Sequence, residues 1–169
     1  MSDLENRIRR LEDRAELQDL VVRYFMASDD DDYATLGACF ARQGTFSAGS
    51  FPGGVGREAV VECLRSGRKM MGPTVHTPNY ALFDFKDDNR ATSVVGAHLE
   101  LSIGDRTVFG AVRYIDECVR EEGRWRFSKR DMRTIHMGPW EDAATSLTTE
   151  LNVRWPGIPP MASDFPKKK

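Results

Sequence analysis

The sequence has no long apolar run. Nothing in it approaches the roughly 20 consecutive apolar residues of a membrane-spanning helix, and Met1 leads directly into Ser2-Asp3-Leu4-Glu5-Asn6-Arg7 without the apolar core of a secretory signal. The expectation is a cytoplasmic protein with no membrane partner. Charge of one sign is lacking as well: 24 Lys and Arg against 26 Asp and Glu leave a formal net charge of -2, which gives no general attraction for nucleic acid. The one run of three basic residues, Lys167-Lys168-Lys169, follows Pro166 at the terminus and is expected to be a tail. Cysteine is scarce, and Cys39, Cys63 and Cys118 are odd in number, scattered, and set beside apolar residues such as Leu36, Phe40, Leu64 and Val119. That excludes a disulfide framework and zinc-ligand spacing, and leaves buried thiols as the expectation. Histidine is scarcer in effect: His76, His98 and His136 form no i, i+4 pair, so no metal is expected. The glycine-rich stretch Phe51-Pro52-Gly53-Gly54-Val55-Gly56 lacks the Lys-Ser/Thr ending of a phosphate loop and reads as a turn.

What is present suits one domain with a core large enough to spare a cavity: 169 residues, 40% hydrophobic and 30% charged. From Leu4 to about Ala27 apolar residues recur at three- and four-residue spacings, as Leu4, Ile8, Leu11 and Ala15 and then as Leu17, Leu20, Val21, Tyr24 and Phe25. The spacing predicts a long helix with Ser2 or Asp3 as its cap, whose charged first half packs loosely or against a partner. Asp31 or Asp32 caps a second, short helix, 43–49 reads as a strand or hairpin, and Arg57 to about Met70 as a third helix on Val60, Val61 and Leu64. Strands follow at Asn79 to Phe85, Ala91 to Ile103, Thr107 to Arg120, and Arg124 to about Met137, joined by short turns. An antiparallel meander is the economical topology. Helices first and sheet second give α+β, with 1–140 as the domain and 141–169 as an extension that serves as a lid, a partner-contacting arm or a tail.

Two residues carry the candidate chemistry. Asp29 falls at the carboxyl end of the first helix, where the macrodipole disfavours an anion, so it is either a turn residue or one that wants a cationic partner. His76 stands where the chain leaves a loop for the first long strand. Imidazole is a good proton acceptor near neutral pH when a carboxylate fixes its tautomer. Tyr24, five residues before Asp29, can turn its hydroxyl toward the same space. His98, beside Glu100 on the polar face of its strand, is either a second pocket histidine or a solvent-facing one, and that polar face suggests a lined cavity. Arg130 and Arg133 lie on opposite faces of the last strand, so only one looks inward. Met26, Phe46, Phe83, Met132 and Trp140 are the apolar residues expected to line a pocket.

The segments Glu16-Leu17-Gln18-Asp19-Leu20, Tyr24-Phe25-Met26-Ala27-Ser28-Asp29, His76-Thr77-Pro78 and Gly123-Arg124-Trp125-Arg126-Phe127-Ser128-Lys129-Arg130 resemble the SnoaL-like branch of the nuclear transport factor 2-like superfamily. The nearest group is that of scytalone dehydratase, bile-acid 7α-dehydratase and hexachlorocyclohexane dehydrochlorinase. The resemblance implies a cone-shaped α+β barrel with N-terminal helices packed on a strongly curved mixed or antiparallel sheet around a pocket. It also implies a cofactor-independent lyase with an Asp29–His76 dyad as general base, Tyr24 and Arg130 as further catalytic groups, and His98 in the substrate site. A small cyclic hydrophobic substrate and a homo-oligomer, a trimer before a dimer, are implied too. The same pocket would serve an isomerase, a cyclase, an epoxide hydrolase or a ligand-binding domain without catalysis.

Overall fold

In a computed structural model, which describes residues 3–49 and 53–165, the long helix α1 runs Asp3–Asp29. The Ser2 cap, Phe51-Pro52 and the tail at 167–169 lie outside the described residues. Helix α1 buries Leu17, Leu20, Val21, Tyr24, Phe25 and Ala27 along one side. It ends because Asp31 takes a left-handed conformation (φ 55), which lets the Asp32 amide close on the Ala27 carbonyl at 2.9 Å. Asp32 then caps α2 (Tyr33–Ala38) by accepting from the Thr35 amide at 3.0 Å. Strand β1 (Phe40–Ala48), helix α3 (Arg57–Arg68) and strands β2 (Thr74–Phe85), β3 (Arg90–Ile103), β4 (Arg106–Glu121) and β5 (Arg124–Pro139) follow, and a 3-10 turn covers Trp140–Thr145.

The sheet order is β1-β5-β4-β3-β2. Strands β2 to β5 form the expected antiparallel meander, and β1, read from sequence as a strand or hairpin, adds a parallel edge on β5, so the sheet is mixed. It is curled but not closed. Strand β2 starts at Thr74, earlier than the alternation from Asn79 suggested, and this brings His76 into the ladder opposite Leu99. Pro78 lacks an amide and is tolerated because β2 is an edge; the register shifts between Pro78 and Tyr80. Tyr80 folds its ring over Gly96, where a Cβ would come within 2.2 Å of the ring carbon Cζ.

The curl places the apolar face inside. Leu99, Leu101 and Ile103 of β3 line a cavity under the helices, whereas His98 and Glu100 point outward and are exposed. The suggestion that the polar face lines the cavity is therefore corrected: the helices cover one face of the sheet, and burial selects the apolar one for that side. A second bulge settles which arginine turns inward. Cys118 opposes Phe127 but Glu117 opposes Lys129, so Ser128 is the extra residue, and the inward series Trp125, Phe127 continues as Arg130, Met132, Thr134. Without it Arg133 would face in.

Strand β1 stops opposite Met132, which leaves the rest of the β5 edge unpaired. The chain beyond 150 fills it. The Met137 amide donates to the Asn152 carbonyl at 3.0 Å and the Arg154 amide to the Met137 carbonyl at 2.7 Å, while Val153 pairs with Met161. Asp164 exchanges bonds with Thr134: its carboxylate accepts from the Thr134 amide at 2.7 Å and its amide donates to the Thr134 carbonyl at 3.0 Å. Upstream, Ser146 Oγ and His136 Nδ1 meet at 2.9 Å, both buried. The extension thus becomes a wall of the cavity through Val153, Trp155, Pro156, Ile158 and Met161.

Asp164→Ala should strip the acceptor from the Thr134 amide and cost about 1–2 kcal/mol. Hydrogen exchange at Thr134 should accelerate with the rest of β5 unchanged; unaltered protection there would mean that the wall is not held by this bond.

Candidate active site

The carboxylate of Asp29, the last residue of α1, grips β2 at three points. Oδ2 accepts from the His76 amide at 2.9 Å, and Oδ1 accepts from the Thr74 hydroxyl at 2.8 Å and meets His76 Nδ1 at 2.6 Å. Thr74 and His76 are two apart on one strand, so both reach the same side of it. Burial opposes ionisation of Asp29, but the bonds from the His76 ring and amide and from Thr74 outweigh it, and the carboxyl sits below its ordinary value. An ionised carboxylate only accepts, so Nδ1 carries a proton, and in the neutral tautomer this fixes the lone pair falls on Nε2. Nε2 has no partner among the described residues. Phe25 holds the ring plane by stacking at 5.0 Å with an interplanar angle of 14°.

Arg68, at the end of α3, completes the support. It holds Asp31 with Nε at 2.7 Å and Nη2 at 3.2 Å, and its Nη1 donates to the Gly72 carbonyl and, at 3.0 Å, to Thr74 Oγ1. Guanidinium can only donate, so the Thr74 hydroxyl accepts from Arg68 and must turn its single proton to Asp29. The unfavourable helix-end position of Asp29 is relieved by these donors, with the cation one residue removed. Sequence reading missed Arg68 and Thr74. The two-residue lead of Thr74 on His76 was a usable signal; the approach of α3 was not readable.

His76 reaches the wall of a cavity of about 620 Å3, a size suited to a mid-sized organic ligand. Of the expected residues, Tyr24, Phe46 and Met132 also line it, with Leu36, Leu64 and Tyr114 beside them. Four others do not. Met26 is 60% exposed on the outer side of α1, one position out of phase with Phe25. Trp140 is 55% exposed in the 3-10 turn, against Phe109. Phe83 is buried in the core near the far end of β2, beyond the cavity lining, and His98 faces outward.

Arg130 looks inward but stops behind the wall. Its guanidinium is fully buried, 4.1 Å from the Tyr24 and Tyr114 ring centres and 4.2 Å from that of Phe127, with Asp116 at 3.8 Å. None of its nitrogens has a hydrogen-bond partner among the described residues. The expected contact of Arg130 with a departing group is corrected on this geometry, since the rings stand between it and the cavity. Burial drives the Asp116 carboxyl up to about 6, against the pull of Arg130 and the 2.9 Å bond from Ser93. Burial also raises the Tyr24 hydroxyl well above its ordinary value and Tyr114 well above its own, so both keep their protons as donors. The Cys39 thiol, pushed up to about 11, is no nucleophile. Among the described residues no cluster of three His, Cys, Asp or Glu could hold a metal ion, and no helix is long and apolar enough to cross a membrane.

Residues 9–131 match the family model of the SnoaL-like domain. Among solved structures, a type 2 hexachlorocyclohexane dehydrochlorinase, LinA, aligns at 19% identity over 89% of this chain and 99% of its own, with a TM-score of 0.75. A further LinA structure aligns at 21% identity over 78% and 92%, also at 0.75. A provisionally assigned scytalone dehydratase from Novosphingobium aromaticivorans gives 0.72 at 19% identity, over 78% and 90%. Identities this low carry the fold alone. No curated protein matches the chain.

The lowered Asp29 carboxyl has a pH consequence of definite sign. The stability that its ionised form supplies is complete above the unfolded carboxylate value of about 3.9 and is lost as pH falls through the lower folded value. Asp29→Asn should therefore flatten that part of the acid limb in urea unfolding midpoints; an acid limb identical to the parent's would show that the carboxylate is not held as described.

Proposed function

The chain belongs to the SnoaL-like domain family of the nuclear transport factor 2-like superfamily, and from that premise we propose that it is a cofactor-independent lyase acting by β-elimination on a small, cyclic, hydrophobic substrate. The observation that carries the reading is the two-point grip of Asp29 on His76, through ring and amide, at the wall of an apolar cavity. It supports general-base chemistry because orientation and tautomer are fixed before the substrate arrives.

In the proposed step, His76 Nε2 takes a proton from a carbon acidified by a neighbouring carbonyl or leaving group. The C–H pair becomes the new C=C bond as the bond to the leaving group breaks. Asp29 stabilises the imidazolium that forms without itself taking the proton. Tyr24, kept protonated by burial, gives a hydrogen bond to the carbonyl or to the departing hydroxyl, and the proton held by the His76 imidazolium passes to that hydroxyl, which leaves as water and returns His76 to its neutral form. The acid–base groups come from the proposed domain 1–140, and Val153, Trp155, Pro156, Ile158 and Met161 of the extension close the far wall with apolar side chains. The likeness of the chain to a dehydrochlorinase and a dehydratase, whose names both describe eliminations, supports this reading.

The test is a panel of cyclic β-hydroxy ketones and halogenated rings assayed for water or halide loss with product analysis. His76→Gln should lower kcat/KM by roughly 10^2- to 10^4-fold and Asp29→Asn by a comparable factor. Turnover with retention of every substrate atom would replace elimination by isomerisation, and undiminished turnover in His76→Gln would remove the dyad from the reaction.

A further inference from the structure

Helix α1 carries a second apolar stripe, on the side away from the domain. Leu4, Ile8, Leu11 and Val22 are 63%, 48%, 68% and 46% exposed. With Ala15 and Gln18, also exposed, they recur at alternating four- and three-residue steps from 4 to 22, the spacing of a coiled-coil seam. At 100° per residue this seam lies nearly opposite buried Asp13, Leu17, Leu20, Tyr24 and Ala27, while buried Val21 and Phe25 turn toward one flank of its carboxyl end, so from Leu4 to Gln18 it does not compete with the core. In heptad terms Ile8, Ala15 and Val22 take the a positions, and Leu4, Leu11 and Gln18 the d positions.

The flanking charges choose the occupant. Positions g hold Arg7 and Arg14, and positions e hold Glu12 and Asp19; all four are exposed, and Arg14 also lies 6.0 Å from the Phe85 ring centre. In a parallel pair each g residue faces the e residue five further along the partner helix. Arg7 then meets Glu12, and Arg14 meets Asp19, in both directions. Antiparallel pairing sets g against g and e against e, arginine against arginine and acid against acid, which is repulsive. A β-branched Ile8 and Val22 at a with leucines at d favour two strands over three. We propose that the outward face of α1 docks a second copy of this chain, α1 against α1 in parallel and in register, as a two-fold homodimer.

Sedimentation equilibrium of the full chain over a concentration series tests it. A monomer–dimer equilibrium is expected. Arg7→Glu/Arg14→Glu and, separately, Glu12→Lys/Asp19→Lys should each weaken association roughly 10- to 100-fold. An equimolar mixture of the two variants should restore it, because every facing pair is again of opposite sign; this restoration also shows that both variants are folded. Ile8→Cys should oxidise to a covalent dimer bridged between the two copies of that residue. A monomer throughout, a trimer, an assembly indifferent to both charge reversals, or failure of the Ile8→Cys bridge to form would each overturn the proposal.

Discussion

One carboxylate ties the helical layer to the free edge of the sheet. An open sheet with an apolar inner face must be held under its cover along both margins, and β2 is a margin with exposed side chains at Val75, Tyr80 and Leu82 on its other face. Asp29 supplies the tie with one bond to the backbone and two to side chains of the same strand. Bonds to an ionised acceptor contribute about 1.5–3 kcal/mol each, against about 1 for a neutral pair. The candidate base is fixed by the same bonds that shut the cone, so the geometry of His76 is inherited from the fold.

The second buried charge system works differently. Arg130 sits among aromatic rings with no hydrogen bond to any of its nitrogens, and cation–π attraction of about 2 kcal/mol per desolvated ring has to offset a penalty of several kcal/mol. Tyr24 and Tyr114 stand between this cation and the cavity, each turning a ring face to Arg130 while lining the ligand space. The positive charge therefore reaches the ligand only through polarised rings. That suits a neutral apolar ligand better than an anion, in keeping with the apolar lining.

Much of this was legible in the sequence, for definite reasons. The 3.6-residue stripe of α1, the alternation of β3 and the short turns before Asn89, Gly104 and Gly123 are local signals, and they gave the α+β order and the meander. Asp29 and His76 were singled out by chemistry and resemblance, and the fold sets them in contact. The rest depended on where single residues interrupt a period. The bulge at Ser128 reverses the phase of β5, so the choice between Arg130 and Arg133 was invisible to simple alternation. The parallel pairing of β1 with β5 joins residues some 85 positions apart, and nothing local announces it. Met26 and Phe25 differ by one step on a helix, and that step separates solvent from core. The wall formed by 152–164 was hidden because its bonds go to an edge left vacant by another strand.

A helix with two apolar faces has to serve two masters without letting one disturb the other. The inward stripe of α1 ends at Asp29, and the outward one is richest between Leu4 and Leu11, about five or more turns away. At 1.5 Å per residue that separation exceeds 25 Å. His76 and Thr74 bond Asp29 directly, and Arg68 links Thr74 to Asp31, all at that end of the helix. Pairing of the outer faces would then stabilise the folded chain by mass action, in proportion to its concentration, and would add no group to the site. The proposed assembly and the proposed chemistry share one helix but draw on opposite ends of it, so a change in one need not appear in the other.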